Sequence, residues 1–286
     1  MKDKYDALVL GSGIGGLAAA LMLSHDGKRV ALFEKHKRPG GRLGSFFKEG
    51  FTVDFGVHLV SRGEKSPVIQ ILNRCGVSAD ISFTKVRPVQ STGGEQFKFP
   101  HDLKGKVSDQ DFQAVIRFVS QIKDMSDEET AALDDLTLEE YLNRYTTNPF
   151  AHACISMVGF IYCCIPEFKL SAGEFARCLK WEAEARASGY PSGGCVAITN
   201  AYINGLKKNG VDLFLDTPVE KILVEDGRAM GVLAQGTEYR ADSVISNAGI
   251  KQTVLELVGE DHFSPEYVSS VKDLEYSCVS IIARFA

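Results

Sequence analysis

Residues 5–34 read YDALVLGSGIGGLAAALMLSHDGKRVALFE, and this stretch decides the fold. Residues 5–10 form a short apolar run that ends at Gly11, as a buried strand does. From Ile14 to His25 the apolar residues recur at helical spacing among alanines, and Asp26-Gly27 supplies the stop. Residues 29–34 are a second apolar run that ends in an acid, Glu34. A strand, a helix and a strand in so short a span predict two parallel neighbours joined by a right-handed crossover.

Gly11-Ser12-Gly13-Ile14-Gly15-Gly16 fits GxGxxG, and it lies where the first strand hands over to the helix. Glu34 follows Gly11 by 23 residues. In that context the pattern reads as a dinucleotide-binding turn. Gly11 allows the tight turn, Gly13 lets the backbone approach a pyrophosphate, and Gly16 lets the helix pack close to the strand. The helix N-terminus, with Ile14 and Gly15 in its first turn, offers free N–H groups to the phosphates. Glu34 accepts from ribose hydroxyls and disfavours a 2′-phosphate. The alternative is a tight turn with no ligand. The next stretch, Lys35-His36-Lys37-Arg38-Pro39-Gly40-Gly41-Arg42, adds a second glycine pair and an arginine. Gly40 and Gly41 would turn backbone N–H groups toward a second part of the ligand, and Arg42 would bring a fork of donors to its pyrophosphate. The alternative for this segment, Lys35 included, is a basic surface loop.

Further along, residues 45–54 predict a hairpin turning at Glu49-Gly50, and residues 66–75 a helix. Residues 81–89 and 96–99 look like strands around Gly93-Gly94. Helices are expected over 108–123, from a capping box at Thr137-Leu-Glu-Glu140, and over 149–165 and 171–186. A hinge-like loop at 189–194 precedes a helix to Lys208. Residues 211–247 carry four short strand runs, 250–258 a helix, and 276–286 a strand-like run.

The whole chain has 286 residues, 44% of them hydrophobic and 24% charged, which excludes a disordered or low-complexity protein. Lys plus Arg number 32 against 37 Asp plus Glu, a net charge of −5. No basic stripe is visible, so nucleic acid is not an expected partner. The seven cysteines are an odd number without a CxxC pair, and no secretory signal precedes them. They read as thiols in a reducing cytoplasm, with the adjacent Cys163-Cys164 as packing residues. Residues 145–165 carry no formal charge, but their mostly apolar part, 150–165, is shorter than the roughly 20 residues a span needs. A buried helix, or one lining an apolar cavity, is expected there.

The segment EKHKRPGGRLGSFFKEGFTVDFGVHLV, residues 34–60, resembles the region after the second strand in the phytoene desaturase and carotenoid isomerase group of the FAD-dependent amine-oxidase-like superfamily. YPSGGCVAITNAYINGLKKNGVDLFLDTPVEKILVEDGRAMGV, from Tyr190, is similar to that group's central block, and ADSVISNAG, from Ala241, to its A-D-x-V-I-x-N-A strand. The resemblance covers about residues 5–62 and 188–255. It implies an α/β fold: a Rossmann-like FAD-binding domain, a parallel sheet with a β-meander, plus a second α+β substrate domain. The implied boundaries are 1–62 and 188–250 for the first, and 63–187 and 251–286 for the second. By the same analogy Val219 would meet the adenine edge through its backbone. Asp54, Phe55 and Gly56 would lie near the flavin, and Asn247 and Ala248 near the adenosine side. The group continues past residue 286 with a Gly-rich segment over the flavin, which implies a missing C-terminal segment or a completing partner chain.

The implied activity is FAD-dependent hydride transfer with flavin N5, forming, isomerising or reducing carbon–carbon double bonds of an apolar, isoprenoid- or lipid-like substrate. His58 is the candidate acid–base group, against a structural histidine; the electron acceptor is unknown, and no metal-ligand spacing is visible. Peripheral membrane contact stays open beside the cytoplasmic reading. Two alternatives stand: a flavin amine oxidase of the same superfamily, and a non-catalytic lipid or prenyl escort module on the same fold.

Overall fold

The computed structural model describes residues 4–56, 59–85, 89–92, 95–185 and 188–277. In chain order its elements are β1 (Tyr5–Leu10), α1 (Ile14–His25), β2 (Val30–Phe33), β3 (Ser45–Lys48), β4 (Phe51–Asp54), α2 (Pro67–Arg74), β5 (Phe83–Lys85), β6 (Gln90–Thr92) and β7 (Glu95–Phe97). There follow α3 (Asp109–Asp124), α4 (Asp127–Ala131), α5 (Leu138–Leu142), α6 (Pro149–Cys163), α7 (Ala172–Ala185), β8 (Gly189–Pro191) and α8 (Cys195–Lys208). The chain then runs through β9 (Asp212–Phe214), β10 (Val219–Glu225), β11 (Arg228–Ala234), β12 (Thr237–Ser246), a π-helical turn (Gln252–Val258) and α9 (Pro265–Asp273).

These elements form two compact units, Met1–Thr84 with Gly189–Leu274 and Lys85–Ser188 with Glu275–Ala286. By packing, the cuts fall at Thr84 and Leu274, later than 62 and 250. Leu72 and Cys75 of the α2 region are buried in one cluster with α1 and α8, and Leu257 of the π-helical turn is buried against the meander.

The first unit is built on a six-stranded sheet of order β10-β11-β12-β1-β2-β9. β12, β1, β2 and β9 run parallel, and β10-β11-β12 is an antiparallel meander. One long strand serves both parts. The N-terminal half of β12 pairs antiparallel with β11 as far as Arg240, and from Ala241 to Ser246 it pairs parallel with β1. β2, and β1 apart from Asp6, are apolar along their length because both faces are covered, as parallel sheets require. Val9 and Leu32 face the cluster with α1, α2 and α8, while Leu8, Leu10, Ala31 and Phe33 face the meander side. There Phe33 stacks on Phe214 at 4.9 Å.

The second unit is largely helical. Phe118, Ile122, Leu138, Leu142, Ile155 and Phe175 make its core. The capping box expected at Thr137 is present in both directions, Thr137 N–H donating to Glu140 Oε2 at 2.9 Å and Glu140 N–H to Thr137 Oγ1 at 3.1 Å. Ser126 and Glu129 form another at α4, a helix that the apolar spacing does not announce because it is only five residues long.

Four sequence expectations change. The 189–194 loop is not a hinge: Gly189–Pro191 is a strand, and Val60 and Gly189 exchange backbone hydrogen bonds at 2.9 and 3.2 Å. Strand structure over 81–89 is confined to Phe83–Lys85, and residues 86–88 lie outside the described residues. α9, capped by Ser264 with Pro265 at its first position, had not been expected. Tyr276 and Ser277 are not in a strand, and the rest of the 276–286 run lies outside the described residues. Among the described residues no helix is long and apolar enough to cross a membrane.

Candidate functional site

The carboxyl ends of β1, β2 and β12 meet at one edge of the sheet, the position where open α/β sheets hold their ligands. Gly11 leaves β1 with φ +89° and donates its N–H to Phe33 O at 2.7 Å. α1 then starts at Ile14. Its N-cap, Gly13, has no side chain to bond the first turn, and that turn holds no acidic residue. The positive end of the helix is therefore neither capped nor neutralised by its own side chains. Gly16 has no room for a side chain, since a Cβ there would lie 2.0 Å from Gly11 O.

A second glycine turn lies against the first. Gly40 donates its N–H to Ser12 O at 3.0 Å, and Gly13 and Gly40 form an isolated parallel bridge. Gly40 has φ +111°, a conformation that side chains rarely adopt, and a Cβ there would lie 2.8 Å from Thr199 Oγ1 of α8. A Cβ on Gly41 would be 3.3 Å from the Gly13 Cα. Segments 27 residues apart in sequence, Gly13 and Gly40, thus make one continuous glycine surface.

Glu34 lies beside it, 6% exposed. Its Oε2 accepts from the Ser12 N–H at 2.8 Å and the Ser12 hydroxyl at 2.5 Å, and its Oε1 accepts from the His36 N–H at 2.9 Å. The Glu34 backbone is held too, its N–H donating to Phe214 O at 2.8 Å and its carbonyl accepting from Thr217 N–H at 2.9 Å. The second of these places the chain entering Val219 next to Glu34. Asn247 closes the far side. Its N–H donates to Leu10 O at 2.8 Å, and its side-chain amide lies over the first glycine turn. A Cβ on Gly13 would be 2.7 Å from Asn247 Nδ2, and one on Gly15 would be 2.7 Å from Asn247 Oδ1.

A family model described as flavin containing amine oxidoreductase matches residues 14–283. The chain belongs to that family. The family is named for its flavin, and FAD is the cofactor it implies for this chain. Prolycopene isomerase 1, chloroplastic, of an Oncidium hybrid cultivar is 27% identical over 86% of this chain and 48% of the relative. The neurosporene-forming phytoene desaturase of Cereibacter sphaeroides is 26% identical over 90% of this chain and 55% of the relative. The chain thus spans about half the length of the curated relatives it matches. An oxidoreductase structure from Methanosarcina mazei has the same fold, with a TM-score of 0.75, 24% identity, and coverage of 93% of this chain and 64% of that one.

Within this family member, the structure brings together most of the residues singled out from the sequence. Gly11, Gly13, Ile14, Gly15, Gly16, Glu34, Gly40, Gly41, Asn247 and Ala248 gather at the one sheet edge, and Val219 opens β10 two residues beyond Thr217. Lys35 is exposed, and so is Arg42, although Arg42 lays its aliphatic stem on Gly56. His58 lies outside the described residues. The motif reading leaves out one residue, Ser12, and does not give the place of another, Asn247. Ser12, an unspecified position of GxGxxG, holds Glu34 with both its donors. Asn247 fills space that the motif reading reserves for a ligand beside Gly13; only the folded chain brings those residues together.

Asp54 has a structural task here. It is 2% exposed, and accepts from the Tyr190 hydroxyl at 2.5 Å, the Cys195 N–H at 3.0 Å and the Ser45 hydroxyl. Ser45 Oγ in turn accepts from Val196 N–H at 3.2 Å. The β3–β4 hairpin therefore caps the N-terminus of α8, whose own N-cap, Gly194, has no side chain.

Proposed function

We propose that the chain is the nucleotide-binding portion of an FAD-dependent oxidoreductase that forms, isomerises or reduces carbon–carbon double bonds of an apolar, isoprenoid- or lipid-like substrate. The observation that carries this reading is the pairing of the two glycine turns, Gly13 against Gly40, at the uncapped N-terminus of α1. Bound FAD would supply hydride exchange at flavin N5, with the substrate carbon losing or gaining the hydride. The first unit holds the cofactor and the second unit carries the substrate region.

In this reading the N–H groups of the first turn of α1 and of Gly41 bind the diphosphate, and Arg42 swings from solvent to join them. Glu34 keeps the Ser12 bonds that orient it and turns its remaining acceptor capacity to the ribose hydroxyls. Val219 meets the adenine through its backbone, with Asn247 and Ala248 bordering the adenosine side. Asn247 moves its amide aside or donates Nδ2 to the ligand. His58 is the proposed proton-transfer group. The relatives support the substrate class by their names, a prolycopene isomerase and a phytoene desaturase. The electron acceptor is not assigned.

The test is FAD titration of the purified chain, followed by quenching of flavin fluorescence. Glu34→Ala and Gly13→Val each lower FAD affinity by at least tenfold, while Lys35→Ala leaves it within twofold. Equal binding by all three variants, or no binding by the parent chain, refutes the reading. A colourless protein that co-purifies with an isoprenoid would favour the escort alternative instead.

A further inference from the structure

The GxGxxG pattern leaves the fifth position open, yet a glycine, Gly15, stands there. Its backbone does not ask for one: Gly15 is the second residue of α1 and has no positive φ. The side chain that excludes a Cβ is that of Asn247. A Cβ on Gly15 would meet Asn247 Oδ1 at 2.7 Å and Asn247 Cγ at 3.5 Å. A Cβ on Gly13 would meet the same side chain from its other end, Nδ2 at 2.7 Å and Cγ at 3.9 Å. The amide thus sits in a notch cut by two missing Cβ atoms, its oxygen over Gly15 and its nitrogen over Gly13. The positive end of α1 favours that orientation, because it draws the oxygen to the first helical turn. The base of the side chain is fixed, since Asn247 N–H donates to Leu10 O at 2.8 Å. Its tip is unspent: Asn247 is exposed, and among the described residues nothing hydrogen-bonds to the amide.

We propose that Asn247 is a diphosphate-binding residue, its Nδ2 donating to the diphosphate of FAD, and that Gly15 is the positioning residue that seats it. The proposal rests on the flavin reading and moves Asn247 from the adenosine side, where the resemblance puts it, to the phosphates. Gly13 is the glycine whose bare Cα the pyrophosphate approaches, and Nδ2 is the side-chain atom that lies over it. The amide brings donors without charge, so it adds to the N–H groups of α1 from the opposite wall, the end of β12. An amide that had to leave on binding would give the glycine at position 15 no purpose. A seated amide explains it.

The experiment measures binding to the whole chain: FAD by quenching of flavin fluorescence, ADP and adenosine by competition with FAD. Asn247→Ala weakens FAD and ADP by about tenfold or more, the loss of a hydrogen bond to a charged group, and leaves adenosine within about twofold. Asn247→Asp, the same size but anionic and without the donor, weakens FAD and ADP further. Gly15→Ala pushes Oδ1 aside and weakens FAD by about fivefold in the parent, but by less than about twofold beside Asn247→Ala, where the new Cβ has nothing to displace. The thermal midpoint without ligand stays unchanged in Asn247→Ala, because the amide carries no hydrogen bond in the protein. FAD affinity that is equal or higher in Asn247→Ala overturns the proposal alone. So do equal losses for ADP and adenosine, or additive effects of Gly15→Ala and Asn247→Ala. A parent chain that binds neither FAD nor ADP overturns the flavin reading and this proposal with it.

Discussion

Asp54 offers the sharpest test of how the first unit is held together. Its carboxylate accepts from three donors in a site that is 2% exposed, and the donors come from β3, from β8 and from the first turn of α8. Asp54→Ala leaves all three without that acceptor. The Cys195 N–H is the firmest loss, because a backbone group cannot turn away; this is the loss of an N-cap, about 0.5–2 kcal/mol. The Tyr190 hydroxyl is half-buried and recovers part of its bond from water, which leaves about 1 kcal/mol. Ser45 is buried and adds about 1 kcal/mol. The total is about 3 kcal/mol, and with a urea slope of about 2–3 kcal/mol per M the midpoint falls by about 1 M. Asp54→Asn keeps an oxygen for Cys195, and the Tyr190 hydroxyl reverses to accept from the new amide, so about 1 kcal/mol is lost. Urea unfolding followed by far-ultraviolet circular dichroism reads both. A loss below about 0.5 kcal/mol for Asp54→Ala, or equal losses for the two variants, refutes the hydrogen-bond reasoning.

Three further outcomes follow from the same coordinates. Gly16→Ala drives a Cβ to 2.0 Å from a backbone oxygen, so the backbone must shift and stability falls by about 3 kcal/mol or more. Gly13→Ala meets only the movable amide of Asn247 and costs about 1 kcal/mol or less; similar thermal midpoints for the two variants would contradict this. The second unit should lose stability in acid. The N–H groups of Ser126 and Thr137 hold Glu129 and Glu140 below the usual carboxylate range, and the Thr146 hydroxyl does the same for Asp111. For such depressed groups the contribution is complete above the unfolded value of about 4.5 and is lost as pH falls through the folded values. Helical circular dichroism during thermal melts at pH 6 and pH 3 checks it, and Glu140→Ala should narrow the gap. Tyr202→Phe removes a hydroxyl that donates to Val68 O at 2.6 Å from a fully buried ring, and should lower stability by about 1 kcal/mol in the same urea assay.

Much of this protein is written in local pattern. The strand–turn–helix–strand opening, the hairpin at residues 45–54, the four strands before Asn247 and the capped helices all follow from apolar period, glycine placement and cap residues. These signals act between near neighbours, so one sequence suffices to read them. Short or weakly patterned elements were not legible. α4 has five residues and Gly189–Pro191 only three, too few for a period to register, and the latter is a strand because β5 pairs with it.

The candidate site divides the same way. Its glycines and Glu34 are legible because a tight turn and a helix start demand those residue types at that spacing. Which groups touch was decided by tertiary structure alone: Gly40 against Gly13, Ser12 on Glu34, Asn247 over the glycine turn, and Asp54 at the head of α8. The physical reason is range. Backbone preference and hydrophobic period are set within a few residues, whereas a hydrogen bond between Asp54 and Cys195 spans 141 residues of sequence and exists only once the sheet has brought its ends together.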